Sequence, residues 1–160
     1  GYLRSRAPAV ARPRGGGHTT GMSALSVIHA AATWFMASVL WFVQLAHYPR
    51  FAAVPAADFP AFQASNIRKT ALLVGPLMVV EGVTALLLVW RRCGAASWAG
   101  LGGLAALWAS TFFVQLPLHR ALERGFEPAL HARLLRTNRW RTGGWTLRGL
   151  LALWLLKAGG

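Results

Sequence analysis

Four stretches of the chain run almost without charge. Ser23 to Ala46, Thr70 to Trp90, Ala95 to Leu116 and Thr142 to Leu156 are each mostly apolar. A helix of about 20 such residues crosses roughly 30 Å of hydrocarbon. The first stretch closes at His47-Tyr48-Pro49-Arg50, where a proline and an interfacial tyrosine stop it, and the second at Trp90 and Arg91-Arg92. The third ends at Pro117 and His119-Arg120; the fourth is shorter, carries Arg148 and closes at Lys157 and Gly159-Gly160. Trp90, Trp98, Trp140 and Trp145 fall near span ends, where an amphipathic ring sits at headgroup depth. The pattern predicts an all-α fold, a four-helix transmembrane bundle. Only a few residues join the second span to the third, whereas the first and third are followed by segments of about twenty residues. Each long segment reads as a turn and a short amphipathic helix lying along the interface. Phe59, Phe62 and Ile67 mark the first, and Phe126, Leu130, Leu134 and Leu135 the second. Gly100, Gly102 and Gly103 in the third span are expected to let helices approach closely.

The polar punctuation repeats. Phe42-Val43-Gln44-Leu45 recurs as Phe113-Val114-Gln115-Leu116, and a histidine follows each, His47 and His119. Asn66-Ile67-Arg68-Lys69-Thr70 matches Asn138-Arg139-Trp140-Arg141-Thr142; the offset is 71 residues at the glutamines and 72 from the histidines onward. Two ordered blocks at nearly one offset indicate a tandem duplication of a two-helix unit, about 23–92 and 95–157. Two spans per unit give both copies the same sense across the membrane, around an axis along its normal. His47 and His119 then share one depth, as do Asn66 with Asn138 and Gln44 with Gln115.

Composition agrees with the pattern. Hydrophobic residues make up 55 % of the 160 and charged ones 13 %, about half the charge of an ordinary soluble domain. The mean hydropathy is +0.42. A net charge of +13 would invite nucleic acid, yet the cations stand at span ends and in connections, as lipid headgroups and water demand. No soluble basic domain remains for nucleic acid to bind. The single cysteine, Cys93, excludes an internal disulfide and any CxxC motif, and reads as an incidental surface thiol. Residues 1–21 hold four Arg with Gly and Pro and no apolar period. They are expected to be a disordered basic tail, upstream of a start at Met22. Without them 13 cations against 4 anions leave +9. Arg50, Arg68, Lys69, Arg120, Arg124, Arg133, Arg136, Arg139 and Arg141 flank the long connections, against Arg91, Arg92 and Lys157 opposite. Nine against three places the long connections in the cytoplasm of a multi-pass protein of the inner or plasma membrane.

Function must use the few polar residues of the spans. Glu81, near the middle of the second span, is costly as an ion unless paired or facing a wet cavity. Arg148, seven residues inside Arg141 and so within roughly 7 Å of the depth of Glu81 at 1.5 Å per residue, is its expected partner, forming a buried polar pair. That pair is either a structural lock or a functional carboxylate. His47 and His119 are candidate metal or haem ligands or interfacial caps that hydrogen-bond phosphates; no HExxH-type spacing supports ligation beyond their symmetry. Asn66 and Asn138 are expected to cap the second and fourth spans or to grip an anionic group. His29 reads as a packed polar residue.

Pro117-Leu118-His119, the Asn138-Arg139-Trp140-Arg141-Thr142 run and Trp145 together resemble the small bacterial four-helix membrane proteins of the anthrone-oxygenase-like type, mainly over the second half of the chain. The resemblance implies cofactor-free oxygenation of a polycyclic phenol. From the residues themselves, the leading expectation is a binding or accessory bundle. Its polar mouth of His47, His119, Asn66, Asn138, Gln44 and Gln115 would hold a small ligand, a lipid headgroup or a metal. The alternatives are a membrane oxygenase or redox enzyme using His47 and His119, and a small oligomeric transporter using Glu81. A metal or haem is admitted but not required. The expected partners are the bilayer and a second copy or a larger membrane complex, with no nucleic acid.

Overall fold

The computed structural model describes residues 23–158 and is all-helical over them. The predicted tail falls outside the described residues. Helix α1, Ala24–Phe42, begins at Ser23, whose side chain accepts from the Ser26 N–H. It runs through a π-helical turn, Val43–His47, into a 3-10 segment, Tyr48–Ala53. Helix α2, Phe59–Arg92, follows. Helix α3, Ala95–Ser110, continues through a second π turn, Thr111–Gln115, into α4, Leu116–Leu122. Helix α5, Pro128–Ala158, completes four helical rods. Three of the rods, Ala24–Ala53, Phe59–Arg92 and Ala95–Leu122, are long and apolar enough to cross a membrane.

The π turns have a common cause. Each closes with an N–H bonded five residues back, Tyr48 to Val43 and Leu116 to Thr111, and each is followed at once by a proline, Pro49 or Pro117. A proline ring clashes with the carbonyl four residues before it and offers no N–H. Widening the preceding turn by one residue moves that carbonyl aside. The rods therefore continue past the prolines expected to end them, as far as Ala53 and Leu122.

The amphipathic segments expected as separate interfacial helices are instead the first turns of α2 and α5. No break separates Phe59 and Phe62 from Glu81, or Leu130 and Leu134 from Arg148. Pro60 and Pro128 start these helices, a position where a missing N–H costs nothing. The connections shrink accordingly to the short stretches 54–58 and 123–127. Asn66 and Asn138 consequently do not cap helices; both are buried inside them.

The side-chain distribution departs from that of a soluble bundle. Gln63, Asn66, Glu81, Gln115, Asn138, Arg141 and Arg148 are buried, while Phe35, Phe42, Leu72, Val83, Leu86, Phe113, Leu147 and Trp154 are exposed. An apolar exterior with the polar side chains gathered inside suits hydrocarbon, where the few polar groups must find one another. Two apolar clusters fill the remaining interior. One joins Met36, Leu40, Met78, Leu104 and Trp145. The other, toward the connections, stacks Tyr48, Phe51, Phe59, Leu122 and Leu134. Helix α5 packs most extensively on α1 and next on α3. Close approaches are made at Gly144, where an added Cβ would lie 2.7 Å from Leu107, at Gly82, 2.8 Å from the Trp108 ring, and at Gly149, 2.9 Å from the Trp34 ring. Of the glycines expected in this role, Gly103 and Gly100 sit 3.6 Å from Arg148 and Leu151, and Gly102 faces open space.

Candidate functional site

Helix α5 presents Asn138, Arg141, Trp145 and Arg148 at spacings of three and four residues, which align them on one face; all four are buried. Asn138 Nδ2 donates to Gln44 Oε1 at 3.0 Å, and Asn138 Oδ1 accepts from Arg141 Nη1 at 3.0 Å. The Arg141 guanidinium lies 5.4 Å from the Trp145 ring centroid, within cation–π range. Trp145 Nε1 donates to Glu81 at 3.0 Å, and Arg148 Nη1 pairs with Glu81 Oε1 at 2.8 Å. Arg148 Nε also donates to the Gly100 carbonyl at 3.2 Å. The expected Glu81–Arg148 pair is thus formed, with Glu81 fully buried, and it ties α2, α3 and α5 together.

A second network crosses the end of the bundle nearest the connections. The Gln63 amide nitrogen donates to His119 Nδ1 at 2.9 Å and to the His119 carbonyl at 3.2 Å. That carbonyl can only accept, so it fixes the amide's orientation, and the amide fixes the imidazole. His119 Nδ1 accepts; His119 Nε2–H donates to the Tyr48 hydroxyl oxygen at 2.8 Å. On the other side, His47 Nε2 donates to Asn66 Oδ1 at 2.7 Å, and Asn66 Nδ2 donates to Gln63 Oε1 at 3.4 Å. The direction is consistent from His47 through Asn66, Gln63 and His119 to Tyr48, which leaves the Tyr48 hydroxyl hydrogen as the free donor at its end. His131 Nε2 anchors the same corner on the Tyr48 carbonyl at 2.8 Å. Elsewhere His29 donates from Nδ1 to Thr84 Oγ1 at 2.8 Å, since that hydroxyl gives its own hydrogen to the Val80 carbonyl.

The polar mouth is brought together, but not as a symmetric ring. Gln44 meets Asn138 and His47 meets Asn66, whereas Gln115 Nε2 donates to Thr137 Oγ1 at 2.7 Å and His119 takes Gln63 and Tyr48. Both ring nitrogens of His119 are engaged, so ligation there competes with the network. Among the described residues no group of three His, Cys, Asp or Glu side chains is placed to hold a metal.

Beside this mouth lies a cavity of about 400 Å³ between α1, α2, α5 and the second π turn. Leu40, Val43, Val74, Met78, Val79 and Phe112 give it apolar walls; Tyr48, Thr111, Gln115, His119 and Arg141 stand at one end. Val79 and Phe112 on its wall are exposed, so it opens sideways to the surface of the bundle. Arg141 and Gln115 are 6 % and 2 % exposed, yet Arg141 Nε, Gln115 Oε1 and the lining Trp108 Nε1 have no partner. The sole ion pair among the described residues is Glu81–Arg148, so Arg141 is a buried cation without a carboxylate. Sequence reasoning took Arg141 for a loop-side cation, Trp145 for a headgroup-depth ring and Tyr48 for a helix stop, and passed over Gln63. The signal for Arg141 was present, three residues after Asn138 and seven before Arg148 on one helical face. No protein-family model, no curated protein and no solved structure matches the chain.

Proposed function

We propose that this is a multi-pass membrane protein whose four rods all span, and that it binds a small apolar molecule in the cavity beside Arg141. A cavity of about 400 Å³ lies in the range of small-molecule sites, which are mostly apolar with a few placed polar groups. The carrying observation is that this apolar space ends on buried polar atoms without partners, Arg141 Nε and Gln115 Oε1. Native structures leave few such atoms unpaired unless something else meets them.

The polar inner face of α5 supports a fourth span. Its arginines lower its apolar character, but Arg141 and Arg148 turn inward and Leu147, Leu150 and Trp154 outward. A duplicated two-helix unit is supported by the π turns that include Gln44 and Gln115 in the first and third rods. Setting Arg141 aside as buried leaves eight cations against three, which still favours connections 54–58 and 123–127 on the cytoplasmic side.

Titration with a neutral fluorescent apolar probe, 1-aminoanthracene, tests the binding reading. Gly75 lines the cavity, and an added Cβ there meets nothing within 4 Å, so Gly75→Leu fills the space without a backbone clash. Saturable binding by the wild-type protein, lost in Gly75→Leu at unchanged helicity, is expected. Non-saturable partitioning, identical in both, would remove the cavity from the account.

A further inference from the structure

The cavity's polar end is not balanced. Its unpartnered donor is Arg141 Nε–H, joined by the Tyr48 hydroxyl hydrogen that the His119 bond leaves free; Trp108, whose Nε1–H also has no partner, lies elsewhere on the lining against Gly82. Against them stands one unpartnered acceptor among the described lining side chains, Gln115 Oε1. Gln115 cannot reverse its amide without losing the bond to Thr137 Oγ1, whose own hydrogen is given to the Arg133 carbonyl. No Asp or Glu lines the space. A guanidinium kept in a low-dielectric interior without a counter-ion is costly, and Arg141 is held there by Asn138 and Thr111 rather than left to reach water.

We infer that the cavity takes a single-tailed amphiphile with a carboxylate head, the head on Arg141 and the tail along Val74, Met78 and Phe112. This rests on the binding reading above and adds the ligand's class. A carboxylate is acceptor-only with two oxygens, which answers these two donors, one of them charged, and charge-assisted hydrogen bonds of this kind are the strong ones. One guanidinium at the polar end and apolar walls beyond it match one head and one tail. The side opening by Val79 and Phe112 admits such a molecule from the lipid phase without taking its tail through water.

The test displaces 1-aminoanthracene from the protein in phosphatidylcholine nanodiscs, using dodecanoate and dodecanol as tail-matched competitors. Dodecanoate is expected to act at concentrations at least about tenfold lower than dodecanol, and Arg141→Gln to bring the two together. Should Arg141→Gln not fold, Tyr48→Phe serves, weakening dodecanoate severalfold and leaving dodecanol unchanged. Equal displacement by both on the wild-type protein overturns the carboxylate while leaving the cavity reading intact. Absence of any saturable probe binding removes both. Loss of dodecanoate binding when phosphatidylglycerol is added would assign the site to the bilayer's own anionic lipids and overturn the single-tailed ligand.

Discussion

Removing either partner of the Glu81–Arg148 pair should cost far more than removing both. Glu81 is fully buried and accepts from Arg148 at 2.8 Å and from Trp145 at 3.0 Å. Glu81→Leu strands the Arg148 guanidinium inside the bundle, where its Nε keeps only the Gly100 carbonyl. Breaking a buried pair from one side typically costs about 3–5 kcal/mol, whereas replacing both partners by apolar residues of similar volume is often near neutral. The Glu81→Leu/Arg148→Met double variant still orphans the Trp145 N–H, an unpaired donor worth about 1–3 kcal/mol. It should therefore lie about 1–3 kcal/mol below wild type, and at least about 2 kcal/mol above the simple sum of the single losses. Reversible unfolding in mixed detergent micelles, followed by circular dichroism, measures all four corners of the cycle. Additive single losses, or a Glu81→Leu protein within about 0.5 kcal/mol of wild type, would show that the arginine finds water or lipid headgroups on its own. The bridge between α2 and α5 would then carry no net stability.

Gly149→Ala places a Cβ 2.9 Å from the Trp34 ring, and should destabilise by about 1–3 kcal/mol as the α1–α5 contact is forced apart; an unchanged melting temperature would show that the ring shifts freely. Cys93 caps α2 in the left-handed region at φ 40°. Cys93→Gly should therefore stabilise by about 1 kcal/mol, a rise in unfolding midpoint that a neutral or negative change would contradict. On the outer face, the exposed Trp41 indole donates to Thr146 Oγ1 at 3.1 Å, so Thr146→Val should cost about 0.6 kcal/mol, the mean for hydrogen bonds between membrane helices. Nitrogen-15 spectra of His119 should show the proton on Nε2 in the wild type and its distribution altered in Gln63→Leu. A His119 protonated on Nδ1 would reverse the assigned direction of the chain and remove the free Tyr48 donor.

What the sequence shows most plainly is the class of fold, because apolar runs of span length have few other uses. The Glu81–Arg148 pairing was legible too, since two opposite charges inside predicted apolar runs have only each other to meet. Helix boundaries were less so. Pro49 and Pro117 mark stops by ordinary rules, and the preceding π turns that carry the helices past them leave no local signature. The polar starts at Asn66 and Asn138 look like caps, but each is enclosed by the other helices, a tertiary fact. Cysteine in a left-handed cap was equally hidden. The cavity could not be read at all, because it depends on which side chains fail to fill a space, and neighbouring positions in sequence do not determine that.

Arg141 shows how the position of a charge differs from its role. By sequence it is one of a run of cations at the mouth of a span, and such residues ordinarily reach for headgroups. Arg139, two residues earlier on the same helix, is exposed, so helix phase alone separates the two. The inward phase sets Arg141 between Asn138, Thr111 and the face of Trp145. Those contacts fasten the guanidinium without neutralising it. Trp145 in turn gives its N–H to Glu81, whose charge is already matched by Arg148. The bundle thus closes one ion pair and leaves the second cation, one helical turn away from Trp145, facing an apolar space. Packing alone would favour an apolar residue at that site. The proposed carboxylate ligand would supply the partner that the described residues do not.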